Sequence, residues 1–279
     1  MYAKTTSSLI TMNGNELIPY IVTAGQNLGA FNTSPFGLEL LVVDAEKQSS
    51  QEFIGLLNAL DGLGFGNKNM AMDKWVALDC GMLPGAFVGL AMSGADLCEE
   101  DKVAFGVDMN YTGLVPICEY CAIPTANPGT WIGHTLTSYF KKNGYATMAK
   151  SLGLAVIPAS KIMGVAQYDN PSLKAHSKFG ALHLITAVTS AHGMPDMTFV
   201  YSMPKPNSKV LEALFLDPHS GGLLMSEEMS EPSFLLDPSD LKKKSAMQFD
   251  LEHGICAYSI LPPGWVEAGS GIAVQILKH

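Results

Sequence analysis

The chain of 279 residues is 47% hydrophobic and 15% charged, a composition that supplies a large apolar core and excludes a disordered protein. Its net charge of −9 disfavours nucleic acid as a partner, because neutralisation of phosphates supplies most of that affinity. All seventeen basic residues are lysine, so an anionic ligand must be bound without the planar, bidentate guanidinium of arginine.

The first half of the chain predicts a strand, a helix and then further short apolar elements. Residues 38–44 have the pattern of a buried strand, and residues 49–52 have that of a capping box. The box precedes a helix with Phe53, Leu56, Leu57 and Leu60 on one face, and residues 62–69 predict a loop. Two apolar runs, 75–80 and 86–92, are compatible with two strands or with a short helix and a strand.

Residues 105–124 predict two strands separated by a turn at Asn110, Thr112 and Gly113. Further along, the pattern predicts a helix at 144–154 and strands near 161–169, 182–189, 197–203, 255–260 and 271–277. The lysine run 242–244 predicts a solvated face. Because 27 glycines and 16 prolines favour many turns, we expect a β-rich α+β fold.

Glu119 is the strongest catalytic candidate, because it lies within an otherwise apolar strand. Its neighbours two positions away, Ile117 and Cys121, are apolar, and side chains two apart share a face of a strand. We therefore expect an interior carboxyl with a raised pKa, which can serve as a general acid or base.

The segment around Glu119 resembles the acetoacetate decarboxylase family, in which a strand, a TGLG-type turn and a Y-x-E strand carry a pocket glutamate. Three later segments keep nearly constant spacing with it: GYATMAKSLGLAVIP at 144–158, FGALHLITA at 179–187 and PDMTFVYSMP at 195–204. The resemblance covers about residues 100–205. It implies a single domain over 1–279, with a curved sheet or barrel around an apolar pocket.

The sequence departs from the family at the catalytic lysine pair, where Ala159 and Ser160 follow Pro158. The first lysine of that pair forms the family's Schiff base, so imine chemistry at this position is not expected. Lys161 lies two residues beyond Ala159, on the same side of an extended strand. It is either a displaced catalytic amine or a solvated strand end.

The resemblance also implies a set of further site residues. Gly106 stands where the family has a second pocket acid, and Asp108, two positions on, either replaces that acid or caps the turn at Asn110. His134 and His183 are candidate proton carriers or structural histidines. The expected substrate-binding set is Gly106, Tyr111, Cys121, His134, Ala159, Ser160 and His183.

Cys118 and Cys121 form a Cys-x-x-Cys pair that we do not interpret as a redox or metal motif, because the side chains point to opposite faces of a strand. The five cysteines are odd in number and scattered, which favours reduced thiols. With no signal pattern or apolar stretch of membrane-spanning length, a cytoplasmic protein is expected.

The function expected from these features is acid/base chemistry on a keto or polyketide-like small molecule: enolisation, dehydration, isomerisation or cyclisation. The expected enzyme is a homo-oligomer that uses neither cofactor nor metal and binds neither nucleic acid nor membrane. A non-catalytic small-molecule-binding protein on the same fold is one alternative. An N-acetyltransferase is another, because residues 141–146 and 170–180 loosely resemble that family's acetyl-CoA loop and following helix.

Overall fold

Strands and helices are mixed along the chain, which confirms the predicted α+β class. The computed structural model describes residues 8–12, 14–66, 70–189, 196–219, 231–269 and 271–279. The chain divides into two units: the first combines Met1–Gly129 with Gly133–Pro158, and the second combines Thr130–Ile132 with Ala159–His279.

The strands of the described residues are β1 (Ile10–Met12), β2 (Asn15–Thr23), β3 (Leu41–Asp44), β4 (Ala86–Ser93), β5 (Leu114–Pro124), β6 (Thr130–Ser138), β7 (Lys161–Gln167), β8 (Leu182–Thr186), β9 (Thr198–Pro204), β10 (Phe234–Leu236), β11 (Tyr258–Ala268) and β12 (Gly271–Lys278). The helices are α1 (Gln51–Phe65), α2 (Lys74–Val76), α3 (Glu99–Phe105), α4 (Tyr145–Val156), α5 (Ser172–Ser177), α6 (Ser208–Leu216) and α7 (Leu241–Glu252). None of the helices in these ranges combines the length and apolarity needed to cross a membrane.

In the first unit, β4 and β5 are central strands of a sheet with the order β1-β2-β4-β5-β6, and β3 pairs in parallel with β2. Helices α1 and α4 both pack on β5, and α4 also packs on β4. A strand covered by helices is apolar along its length, whereas a strand with one face in water alternates apolar and polar residues. Accordingly, β4 is buried from Ala86 to Met92.

In the second unit, the strand order is β7-β9-β8-β11-β12-β10. Helix α5 packs on β11, and α7 contacts β8. The predicted strands near 161–169, 182–189, 197–203, 255–260 and 271–277 are confirmed as β7, β8, β9, β11 and β12. In the first unit, the helix predicted at 144–154 is confirmed as α4.

The predicted strand-turn-strand over 105–124 is wrong in its first half. Phe105 is the last residue of α3, and Gly106 follows in the left-handed conformation with φ 69°. Glycine adopts this conformation without the penalty of a Cβ, which makes it a common helix terminator. The apolar residues that suggested a strand therefore belong to a helix end and a turn, and β5 alone has the predicted extended form.

The start and the end of α1 also differ from the expectation. No side-chain hydrogen bond caps its first turn within the described residues, and the 3₁₀ turn Gln48–Ser50 leads into it instead. The helix continues through part of the predicted loop 62–69, of which 67–69 lie outside the described residues. Gly64 lets the helix pack closely against β6, because a Cβ at this position would lie only 2.2 Å from Oγ1 of Thr137.

The lysine run 242–244 is not wholly solvated. Lys244 is 0% exposed, and its ammonium donates hydrogen bonds to the carbonyl oxygens of Asp196 and Pro238. A buried ammonium is tolerated when its protons are bonded in this way. A run of like charges therefore contains one member that is a structural part of the second unit.

Candidate functional site

Glu119 lies in the middle of β5, between two helical layers. Cys121 belongs to the apolar cluster that includes Phe53 and Leu57 of α1, whereas the ring of Tyr120 lies against Gly153 of α4. Because side chains alternate between the faces of a strand, Glu119 shares the α1 face with Cys121.

The carboxyl of Glu119 is enclosed and has no hydrogen-bond partner within the described chain. The residue is 0% exposed, and neither Oε1 nor Oε2 has a hydrogen-bond partner there. Burial raises the pKa of Glu119 well above its usual range, and the nearby Asp61 carboxyl raises it further. The expected interior position is confirmed, and its raised pKa favours the protonated form of the carboxyl.

Tyr20 reaches the neighbourhood of Glu119 across a glycine. Tyr20 of β2 pairs with Gly89 of β4, which pairs in turn with Glu119. A Cβ on Gly89 would lie 2.8 Å from the Tyr20 hydroxyl, which donates a hydrogen bond of 3.0 Å to the carbonyl oxygen of Cys118. Burial raises the pKa of Tyr20, and the charges of Glu119 and Cys118 add to this rise, so the phenol remains a hydrogen-bond donor.

Asp61 of α1 is the second buried acid of this unit, with 4% exposure. Its carboxylate accepts a hydrogen bond of 2.5 Å from the backbone N–H of Met72 and one of 3.4 Å from the hydroxyl of Thr135. Burial raises the pKa of Asp61, and these two hydrogen bonds oppose the rise. Asp61 therefore has the bonding that Glu119 lacks, so the two acids differ in environment.

His134 is the predicted proton carrier that lies in this region. It is adjacent to Thr135 on β6, and its side chain is exposed. Desolvation lowers the pKa of His134, and the charge of Asp61 opposes this change. Asp61 is thus within electrostatic range of both Glu119 and His134.

The thiols of Cys118 and Cys121 are buried on opposite faces of β5, and burial raises the pKa of each. A thiol with a raised pKa is a poor nucleophile and a poor metal ligand. This agrees with the interpretation of the Cys-x-x-Cys spacing as structural.

The predicted residues near α3 form turns. Asp108 is exposed, and its Oδ1 accepts a hydrogen bond of 2.8 Å from the N–H of Asn110, which is the capping role considered for it. Gly106 terminates α3. The side chain of Tyr111 packs against two glycines: an added Cβ would lie 2.6 Å from its ring at Gly94 and 2.3 Å from its hydroxyl at Gly113.

Four predicted residues belong to the second unit. Ala159 is buried, whereas Ser160 and Lys161 are exposed. The carbonyl of Ser160 accepts a hydrogen bond of 2.8 Å from the N–H of Lys205, and Lys161 is the first residue of β7. His183 of β8 has its Nδ1 2.8 Å from Oγ of Ser259, and its pKa is lowered by burial and by the cations His279 and Lys161.

Sequence reasoning missed Asp61 and Lys150, although both carry a helical signal. Asp61 lies four residues after Leu57 on the buried stripe of α1, a position that predicts an interior acid. Lys150 lies within α4, a largely apolar helix whose residues are buried on nearly every side. Burial lowers the pKa of Lys150 to about 7, so this ammonium loses its proton far more readily than a surface lysine.

A surface depression of about 540 Å³ lies in the second unit. Its lining residues are Asp169, Met197, Leu235, Asp237, Pro238, Ser239, Ala268, Gly271, Ile272 and Ala273. None of the predicted site residues is among them, so this depression does not correspond to the expected pocket around Glu119.

No protein-family model matches the chain, and a search of curated proteins finds no match. The resemblance to acetoacetate decarboxylases therefore stays a prediction from the motifs around Glu119.

Proposed function

We propose that this protein is an acid/base enzyme of the acetoacetate decarboxylase type that lacks the Schiff-base lysine. In this proposal it catalyses enolisation, dehydration, isomerisation or cyclisation of a keto or polyketide-like small molecule. The observation that carries the proposal is the carboxyl of Glu119, which is 0% exposed and has no hydrogen-bond partner within the described residues. An interior carboxyl of this kind is costly to retain unless it has a use.

A protonated glutamic acid can donate its proton to a developing enolate and recover it from a carbon acid. This exchange is most efficient when the pKa of the group lies near the working pH, and burial moves a carboxyl in that direction. The Tyr20 hydroxyl lies on the same face of the sheet. It supplies a donor that can turn from the Cys118 carbonyl to a substrate oxygen.

Because α1 covers the face on which Glu119 lies, a substrate reaches the carboxyl by displacing part of this layer. Exclusion of water after substrate entry strengthens the electrostatic interactions within such a site. The proposal includes the arrangement predicted from the sequence, in which a curved sheet or barrel surrounds an apolar pocket.

The proposal is tested in two steps. Native mass spectrometry against a panel of β-keto acids, β-diketones and short polyketide mimics identifies a ligand, and proton exchange at its α-carbon is then followed by NMR. Glu119→Gln keeps the shape of the side chain and removes the titratable proton, so we expect exchange to fall by ~10²-fold or more.

Asp108→Asn is the matched control, because it makes the same acid-to-amide change at an exposed turn. This variant is expected to retain wild-type exchange. Equal exchange by the wild type and Glu119→Gln would contradict the assignment of Glu119 as the acid/base group.

The second candidate function is a non-catalytic binding protein on the same fold. The observation that favours it is the pair Ala159 and Ser160 at the positions of the family's lysines. Saturable binding of a keto compound, with neither turnover nor isotope exchange at any pH, would move this function to first place.

A further inference from the structure

A short flap, residues 72–81, packs on the face of β5 on which Glu119 lies. It consists of α2 and most of the π-helical turn Ala77–Met82, a type of turn that is rare and frequent at functional sites. The turn packs on β2, β4 and β5. A Cβ on Gly81 would lie 3.0 Å from Sγ of Cys121. The flap therefore covers Cys121, which is two residues from Glu119 on the same face of the strand.

The flap is less deeply packed than α1, which also covers this face. Its buried residues are the small Ala77 and Gly81, whereas Met72 and Leu78 are half-buried and Trp75 is 64% exposed. Helix α1 buries five large apolar side chains: Phe53, Ile54, Leu56, Leu57 and Leu60. Local opening costs less free energy where fewer apolar contacts are broken. The flap is therefore the part of the layer over β5 that is displaced most easily.

Backbone contacts hold the chain firmly after the flap. The carbonyl oxygen of Met82 accepts a hydrogen bond of 3.0 Å from the N–H of Ala24, and that of Gly85 accepts one of 2.7 Å from the hydroxyl of Thr23. A Cβ on Gly85 would lie 2.1 Å from the carbonyl oxygen of Ala122, so this part of the chain lies close against β5. Residues 82–85 therefore form a fixed hinge.

The buried side chain of Asp61 holds the start of the flap. Its Oδ2 accepts a hydrogen bond of 2.5 Å from the N–H of Met72, and its Oδ1 accepts one of 3.4 Å from the hydroxyl of Thr135. Before the flap begins, the N–H of Met70 donates a hydrogen bond of 3.2 Å to the carbonyl of Phe65 at the end of α1. The bond from Met72 to Asp61 is therefore the contact that breaks when the flap lifts from its start.

On the basis of the proposed function, we propose that residues 72–81 open to admit a substrate to Glu119. Residues 82–85 are the hinge of this movement, and the hydrogen bond between Asp61 and Met72 is its latch. Opening exposes the thiol of Cys121 beneath the flap. Cys118 points to the opposite face of β5, on which α4 packs, so its thiol stays covered when the flap opens.

The test is the rate at which N-ethylmaleimide labels each cysteine of the wild-type chain, as located by mass spectrometry. Cys118 and Cys121 are both 0% exposed, so each reacts only when its cover opens, and Cys118 is the matched control. We expect Cys121 to react at least ~10-fold faster than Cys118, because local opening costs less free energy than global unfolding. Equal labelling rates of the two cysteines would overturn the proposal, because both would then become accessible in the same global event.

A pair of variants tests the latch. Asp61→Leu removes the acceptor for the N–H of Met72, so we expect the ratio of the Cys121 rate to the Cys118 rate to rise by ~10-fold or more. Asp61→Asn keeps an oxygen that can accept this hydrogen bond, and its ratio is expected to stay near that of the wild type. Equal acceleration of both cysteines by Asp61→Leu would show that Asp61 only stabilises the unit, and would overturn its role as the latch.

The labelling needs no substrate, so its outcome is separate from that of the proposed function. Selective labelling of Cys121, in a protein that exchanges no α-proton of any keto compound, would support the flap and contradict the proposed function. Exchange of α-protons together with equal labelling of Cys118 and Cys121 would support the proposed function and overturn the flap.

Discussion

Glu119 of β5 and Gly89 of β4 lie directly opposite each other in the antiparallel register. A Cβ on Gly89 would lie 1.9 Å from the carbonyl oxygen of Cys118 and 2.8 Å from the Tyr20 hydroxyl. The missing side chain therefore lets the phenol of Tyr20 cross β4 toward the strand that carries Glu119. Strand interiors rarely favour glycine, and here the close approach of backbone and phenol explains it.

We expect Gly89→Ala to lower the free energy of unfolding by about 2–4 kcal/mol, because the added methyl meets backbone rather than a movable side chain. Urea denaturation followed by circular dichroism measures this change. Gly55→Ala is the control, since Gly55 is an exposed residue of α1 with nothing within 4 Å of an added Cβ. It is expected to stabilise the protein by ~0.5–1 kcal/mol. Equal effects of the two substitutions would show that the region around Gly89 is not tightly packed.

The sequence predicted the α+β class and most strands, because period-two patterns and turn residues are local signals. It also placed Glu119 in the interior, since its neighbours at 117 and 121 are apolar. It did not predict the path of Tyr20 across Gly89, which depends on the register of three strands distant in sequence. Strand register is a property of the assembled sheet.

The errors at Gly106 and Lys244 have a similar origin. A short apolar run before Gly106 fits a strand or a helix end equally well, and the left-handed glycine decides between them only in the folded chain. Lys244 has the sequence context of a solvated run, yet the carbonyl oxygens of Asp196 and Pro238 bind its ammonium. Such partners lie outside any local sequence window.

Lys150→Met is expected to stabilise the protein at neutral pH, by about 2 kcal/mol, because burial lowers the pKa of Lys150 to about 7. A lysine whose pKa is lowered in the folded state lowers the free energy of unfolding by its full penalty at every pH below that lowered pKa. The penalty is relieved as the pH rises from about 7 toward the ordinary value of 10.5. The stabilisation by Lys150→Met should therefore shrink over this range, as measured by urea denaturation at several pH values.

Lys244→Met removes a buried ammonium that donates hydrogen bonds to backbone carbonyls. It should destabilise the protein, because those carbonyl oxygens lose their donor. If Lys150→Met destabilises the protein at pH 7 and the effect does not change at higher pH, the pKa of Lys150 is not lowered in the folded state.

Borohydride reduction in the presence of acetoacetate or pyruvate is expected to leave the protein unmodified. Ala159 has no amine, and Lys150 is 0% exposed, so the carbonyl carbon of a small keto acid does not reach its nitrogen. Intact-mass spectrometry followed by peptide mapping is the measurement. A stable adduct at Lys161 would restore Schiff-base chemistry at the displaced position, and one at Lys150 would show that the interior of the first unit opens to ligands.

Coenzyme A is expected not to bind tightly. The chain contains no arginine for the phosphates, and the start of α4, which follows Gly144, is closed: Tyr145 and Met148 are buried. Pyrophosphate binds helix starts through exposed backbone N–H groups, so this start is not a suitable site. Isothermal titration calorimetry checks the prediction. Micromolar binding that is abolished by Gly144→Val would favour the acetyltransferase interpretation.

The pH dependence of stability gives a test of the carboxyl that needs no substrate. Burial raises the pKa of Glu119 in the folded state, so the group costs no stability below the unfolded pKa, where both states are protonated. The loss of folding free energy grows as the pH rises from the pKa of Glu119 in the unfolded chain toward its pKa in the folded protein. Glu119→Gln should therefore gain stability relative to the wild type as the pH rises above 4.5, the ordinary pKa of the group. If the difference in free energy of unfolding between the two proteins does not change with pH, Glu119 is in contact with water.

Difference infrared spectroscopy detects whether Glu119 holds a proton at neutral pH inside the first unit. The wild-type spectrum at neutral pH should contain the C=O stretch of a protonated carboxyl, shifted in D₂O and missing from Glu119→Gln. Asp61→Asn should keep this band. If Glu119→Gln instead removes carboxylate bands, Glu119 is ionised at neutral pH and could not act as the proposed proton donor.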